Sequence, residues 1–466
     1  MNNTGKDATE ALFYQRKNVY DTPFRDRQQE MFSFCEEYKQ FLDCSKTERL
    51  SVKSALNIAV CAGFVPLEQK KELRPGDRVY TVNRGKGILL AVIGRKSMNK
   101  GIHLVAAHID APRLDLKPNP LYEDLSLALL KTHYYGGIKK YQWPTIPLAL
   151  YGVVYLADGS RVDISIGDKP EDPVFYITDL LPHLAAEQMG KKLAQGVTGE
   201  SLNLLAGSIP WKDQEAKERV KRNVLNILHE AYGICETDFI SAELEAVPAY
   251  GARDVGLDRS MIGAYGHDDR VCSYTALRAV CDCGAPYHTA VCMLVDKEEI
   301  GSMGNTGMQS RHFEHVLAEL CERTGASLRL CLTNSICLSA DVGAANDPTY
   351  PSVQEKNNAA VLNGGIMLCK YTGSRGKSGS SDASAELVSR IRRLFDQNEI
   401  VWQIAELGKV DEGGGGTVAQ YVANLDIDTL DCGVPLLSMH APYEIAAKAD
   451  VYMAYLAYLA FLKDKA

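Results

Sequence analysis

The chain has 466 residues, of which 46% are hydrophobic and 24% charged, with a formal charge of -8. Such a composition belongs to a folded globular protein with too much chain for one ordinary core, and it excludes a disordered polymer. The acidic balance, with no basic stripe, argues against a nucleic-acid partner. No apolar run is long enough to span a membrane, and the polar residues 1–30 lack the apolar centre of a secretory leader.

Residues 7–64 are helical in pattern. Ser45, Thr47 and Glu48 offer capping chemistry ahead of Leu50, Val52, Ala55, Leu56, Ala59 and Val60 at helical spacing, and Gly63 closes the run. Segments 78–82, 87–93 and 101–107 alternate or are apolar throughout, which predicts strands; the third ends at His108-Ile109-Asp110-Ala111-Pro112. At residue 113 the character changes. Pro118, Pro120, Pro144 and Pro147, strand-like pieces at 148–156 and 161–166 and a charged helix at 211–230 mark residues 113–247 as a smaller, β-rich insertion between two halves, 1–112 and 248–466, of one catalytic domain. Beyond Tyr250 the pattern predicts helices at 269–281, 309–323, 384–395, 417–423 and 443–462, and strands at 288–295, 327–332, 365–371, 401–405 and 433–437. Alternation of this kind implies an α/β fold around a mixed sheet with helices on both faces. The 13 cysteines, mostly single within apolar runs as at Cys292, Cys331, Cys369 and Cys432, read as buried thiols of a reducing compartment, so the expected address is cytoplasmic. Cys281 and Cys283 lack the spacing and the second pair of a zinc knuckle.

In α/β sheets, ligand sites gather beyond the carboxyl ends of strands. His108 and Asp110, Glu298 and Glu299, Asp341 and His440 all follow strand-like runs, and Asp268-Asp269 opens a helix. Paired glutamates alone often mark only a solvated helix start. Two histidines among several carboxylates, however, suit a pair of zinc-like ions, with cobalt and manganese equally accommodated by such donors. Asp110 stands where it can orient the His108 ring. There is no Gly-x-Ser-x-Gly elbow, and Ser302 has no evident activating histidine, so a serine nucleophile is not expected.

The motifs His108-Ile109-Asp110-Ala111-Pro112, Asp268-Asp269-Arg270, Asp296 through Ser302, Ser339-Ala340-Asp341 and Ser438-Met439-His440 stand in an order and spacing that resembles the aspartyl aminopeptidase family of two-metal exopeptidases. Tyr135-Gly136-Gly137 matches a family feature as well. The resemblance implies that His108 and Asp341 complete one metal site, Glu299 and His440 the other, with Asp269 bridging and Glu298 as general base. It further implies two divalent ions, zinc first, and hydrolysis of an acidic N-terminal residue from small peptides. A homo-oligomer, a dodecamer in form, would be assembled through the insertion. Arg375, Lys377 and Lys409 are the candidate cations for an acidic side chain, and His183 a candidate contribution to a neighbouring subunit. The chain departs from the family pattern at Trp143-Pro144, where an aspartate-arginine pair often follows the tryptophan, and at Glu187, where a histidine is expected. Two rival readings are a related amidohydrolase that deacylates N-acyl amino acids and a non-catalytic assembly protein on the same fold.

Overall fold

The structure is a computed structural model that describes residues 12–466. Its centre is a nine-stranded mixed sheet. Four strands lie parallel and side by side: Thr289–Val295, Ile102–His108, Ile336–Ser339 and Asp428–Gly433. Antiparallel neighbours flank them, Gly87–Val92 on one side and Ile366–Cys369 on the other. Strands buried on both faces need apolar residues at every position rather than at alternate ones, which is why 102–107 and 289–295 read as continuous apolar runs.

The period-2 alternation of a strand divides these residues between two cores. Val105, Ala107, Cys292, Leu294 and Leu338 face the helices Gln28–Cys44, Glu48–Cys61, His267–Asp282, Ala385–Gln397 and Lys448–Lys463. Leu104, Ala106, Val291, Met293 and Cys337 face the helices His312–Thr324, Leu328–Thr333 and Ala419–Ala423. The helix Glu48–Cys61 begins as its sequence requires, with the Thr47 hydroxyl accepting a hydrogen bond from the Leu50 amide.

Strands drawn from Arg113–Pro248 form a separate seven-stranded antiparallel sheet, in which Ala242–Pro248 pairs with both Arg113–Asp124 and Pro147–Tyr155. A five-stranded sheet at the carboxyl end of the central one carries the hairpin between Pro435–Leu437 and Glu444–Ala447, on which His440 sits.

Three expectations about elements are corrected. Residues 327–332, expected as a strand, form the helix Leu328–Thr333. The side chains turned to the core are Leu328, Cys331 and Leu332, a helical spacing, and Leu330 is exposed. The last helix starts at Lys448 rather than 443, because 444–447 are taken up by pairing with Met261–Ala264. The charged helix of the insertion runs Arg219–Tyr232, not 211–230. The part of the expected N-terminal helical region before residue 12 lies outside the described residues. All 13 cysteines are free, and ten of them are buried.

Candidate metal centre

The register of the parallel strands sets out the site. Val295 pairs with His108, and Ser339 with Ala106, so the segments following three adjacent strands emerge at one edge. His108 is the last residue of its strand. Its Nδ1 lies 3.1 Å from the Asp110 carbonyl oxygen and 3.3 Å from Asp110 Oδ1, which turns Nε2 outwards. That nitrogen meets Asp268 Oδ1 at 3.1 Å and Asp341 Oδ1 at 3.8 Å. His440 mirrors it: Nδ1 donates to the Gly137 carbonyl at 2.8 Å, and Nε2 stands 3.0 Å from Asp268 Oδ2 and 3.6 Å from Glu299 Oε1. One carboxylate therefore lies between two imidazoles.

The donor atoms fall into two groups sharing Asp268, namely His108, Asp268 and Asp341, and Asp268, Glu299 and His440. Within each, one donor atom per residue lies within 4.8 Å of the others. The residues fit zinc. Imidazole nitrogens and carboxylate oxygens are its ligands; each ring has its Nδ1 against an oxygen, leaving Nε2 as the free donor; and the buried Glu299 Oε1 has no hydrogen-bond partner.

The electrostatics are those of crowded acids. Burial, and then the neighbouring Asp268, push the Glu299 carboxyl well above the usual range; burial and Asp269 do the same to Asp341. Burial opposes the charge on both histidines, yet hydrogen bonds outweigh it: Asp110 and Asp268 raise His108 well above its ordinary value, and Asp268 takes His440 up to about 10. Asp268 itself, held by the two rings, lies below the carboxylate range despite its burial. Glu298 is pushed up to about 7, chiefly by burial. It belongs to neither donor group, and its Oε2 lies 3.9 Å from His108 Nε2.

Asp269, which the resemblance implied as the bridge, is placed differently from Asp268. It belongs to neither group: it is fully buried, forms no ion pair with either imidazole, and burial raises its carboxyl well above the usual range. The reason is local. At Asp268 the backbone is extended, with φ -81° and ψ 108°, and regular helix starts only after Asp269. The pair therefore lies outside the helical spacing, with Asp268 toward the site and Asp269 toward the core.

Supporting contacts beyond those expected from the sequence come into view. Asp110, besides its contact with His108, accepts the Glu298 amide on Oδ1 and the Glu299 amide on Oδ2, both at 3.1 Å, and the Tyr135 hydroxyl at 2.9 Å. Tyr135 is covered by the Arg113 guanidinium, 3.8 Å from its ring centre, and Arg113 pairs with Glu245 at 3.2 Å. Glu444 accepts the Asp268 amide at 3.1 Å and the His440 amide at 2.7 Å, which ties the two together; burial and Asp268 raise it to about 8. Tyr135-Gly136-Gly137 had stood out only as a match, and its function is one of approach. A Cβ on Gly136, whose φ is +76°, would lie 3.0 Å from Glu299 Oε2, and one on Gly137 would lie 3.3 Å from His440 Nδ1.

A cavity of about 440 Å³ opens over Asp268, Glu298, Glu299, Asp341 and His440. Arg375, Lys377 and Lys409 do not line it; they line a smaller neighbouring pocket, where Lys377 pairs with Asp382 at 3.2 Å. His183 lies on the exposed turn Pro182–Leu184, outside the lining of the cavity.

A family model described as aminopeptidase I zinc metalloprotease (M18) matches residues 41–462. A protein of Clostridium acetobutylicum named as a probable M18 family aminopeptidase 1 is 49% identical over 462 residues, covering 97% of this chain and 99% of that one. The crystal structure of an M18 family aminopeptidase from Thermotoga maritima superposes with a TM-score of 0.93 at 48% identity, covering 97% of this chain and all of the other. The S. cerevisiae mApe1 dodecamer, at 20% identity, shares the fold with a TM-score of 0.76 over 94% of this chain and 97% of that one.

Proposed function

We propose that this chain, which belongs to the aminopeptidase I family of zinc metalloproteases (M18) and is a metalloaminopeptidase, releases the N-terminal residue of small peptides with Glu298 as general base beside two zinc sites. The observation that carries this reading is Asp268, set between two imidazoles and shared by two donor groups. His108 and Asp341 would hold one ion, Glu299 and His440 the other, and Asp268 both. When bound, the ions supply Lewis acidity, lowering the pKa of water and polarising the scissile carbonyl. Glu298 takes the proton from the attacking water at its carboxylate and delivers it to the departing amine nitrogen. A base suits this task when its pKa lies near the working pH, and burial has moved Glu298 in that direction. Asp110 holds the Glu298 and Glu299 amides and faces His108 Nδ1, so one carboxylate sets the base and both metal sites in register. Tyr135 and Arg113 hold Asp110 in turn.

Residues 113–247 form the insertion that mediates assembly into a homo-oligomer of the dodecameric kind. In support, Leu180, Leu181, Leu184, Met189, Leu193 and Ile209 of this segment are exposed, an apolar surface that a partner copy would cover. The acidic preference implied by the resemblance is not part of this reading, since the cations expected to meet it stand outside the cavity.

The experiment compares free peptides with N-acyl amino acids as substrates for protein stripped by a chelator and reloaded with zinc. Release of free N-terminal residues, with two zinc ions per chain at full activity, is the expected result. Turnover of the acyl compounds alone would overturn the peptidase reading, and full activity at one ion per chain would overturn the two-site assignment.

A second expectation concerns Tyr135→Phe. Removing the hydroxyl takes one donor from Asp110, and the loss of such a supporting hydrogen bond costs about 10–100-fold in metal affinity or activity. Zinc titration of the stripped protein checks it; a change below about threefold would show that Asp110 holds its place without the phenol.

A further inference from the structure

The cavity over the metal centre has an uneven distribution of charge. Of its lining residues only His440 is basic, and no lysine or arginine is among them. Its carboxylates are Asp268, Glu298, Glu299, Asp341 and Glu406. The proposed function engages the first four, three as ligands and one as base. Glu406 belongs to neither donor group, and no lysine or arginine pairs with it among the described residues. It is also held in place. It follows the strand Trp402–Ile404, its amide donates to the Asn358 carbonyl at 2.7 Å, and its Oε1 accepts the Tyr371 hydroxyl in a short hydrogen bond. The second carboxylate oxygen accepts no hydrogen bond from the described residues. Beside it the wall is apolar, with Cys369, Ala405 and Leu407.

Resting on the aminopeptidase reading above, we propose that Glu406 reads the side chain of the substrate's N-terminal residue, so that the enzyme favours peptides beginning with lysine or arginine and rejects those beginning with aspartate or glutamate. A lysine or arginine lays its aliphatic stem along apolar surface while its charged head seeks a partner, and Cys369, Ala405 and Leu407 followed by Glu406 supply that sequence of surfaces. An acidic side chain in the same place sets like charges together without a cation between them, and such a clash discriminates strongly. Neutral residues such as leucine fall between the two, since they use the apolar wall and leave Glu406 to water. Glu406 also borders the neighbouring pocket together with Arg375, Lys377 and Lys409, but none of the three pairs with it: Lys377 is held by Asp382 and by the Tyr371 ring, 3.8 Å from its centre, and neither Arg375 nor Lys409 lines the cavity over the metal centre.

The test measures kcat/KM of the zinc-loaded enzyme on three peptides that differ only in an N-terminal Lys, Leu or Asp. The natural enzyme is expected to favour Lys over Asp by about 100-fold. In Glu406→Gln the Lys-to-Leu ratio falls about tenfold or more, and in Glu406→Lys the order of Lys and Asp inverts. Tyr371→Phe, which leaves the carboxylate in place without its anchor, shifts the Lys-to-Leu ratio in the same direction by a smaller factor. A preference of the natural enzyme for Asp overturns the proposal. So does an equal loss on all three peptides in Glu406→Gln, which would assign this carboxylate to the α-amine common to every substrate. Should the zinc-loaded enzyme release no N-terminal residue from any of the three, it is the aminopeptidase reading that fails, and the specificity proposal with it; altered ratios among active reactions concern Glu406 alone.

Discussion

Glu298→Gln is expected to keep its full complement of zinc and to lose about 10²–10⁴-fold in kcat, the range that a general base contributes. The amide cannot accept the proton from water, while none of the ligand side chains is changed. The backbone contact with Asp110 also survives, because it is the Glu298 amide that donates it. The pH profile supplies a second readout. A base acts in its ionised form, so kcat/KM falls as the pH drops through the Glu298 pKa, raised to about 7 by burial in the metal-free protein. Bound cations favour the carboxylate form, which places the midpoint of that acid limb at or below 7. In Glu298→Gln the limb due to this residue disappears. Activity within about tenfold of the natural enzyme, with the limb intact, would remove Glu298 from the mechanism.

Asp268→Asn is expected to have a comparable effect by another route. The substitution weakens the one donor shared by both groups, so zinc occupancy falls at both sites at once and activity drops by about 10³-fold or more, as follows when several kcal/mol of transition-state stabilisation are lost. Asp269→Asn is the matched control. Its carboxyl is buried, outside both groups and held toward the neutral form, so an amide of the same shape should leave the zinc content as it was. Metal analysis of the two variants, purified side by side, separates the adjacent aspartates. Loss of zinc from Asp269→Asn with retention in Asp268→Asn would return the bridge to the residue that the resemblance implied.

That proposed exchange of neighbours marks where the sequence was legible and where it was not. Continuous apolar runs located the buried parallel strands, and the polar residues following them located His108, Glu298, Glu299 and Asp341, because a strand buried on both faces leaves little room for charge except at its end. The pattern could not say which member of Asp268-Asp269 faces the site. The pair lies at non-helical backbone ahead of the regular helix, which hydrophobic periodicity does not record. Glu444 was hidden for a related reason. Residues 444–447 read as the first turn of the last helix, and pairing with Met261–Ala264 makes them a strand, which sets the Glu444 carboxylate against the amides of Asp268 and His440. Glu406 had no signal at all, since a lone glutamate after a short strand looks like any solvated charge until the cavity is seen.

The Gly137 carbonyl that receives the His440 Nδ1 proton belongs to the segment 113–247, whereas His440 belongs to the other half of the protein. An engineer who excised that segment and spliced residues 112 and 248 with a short linker would therefore delete more than a docking surface. The excised enzyme would keep every proposed ligand yet lose the acceptor that fixes one ligand's tautomer, together with the phenol that steadies Asp110. The segment proposed to join one copy to the next and the proposed metal sites are thus coupled through one backbone carbonyl and one phenol, and exchanging that segment for a foreign module would call for retuning the site.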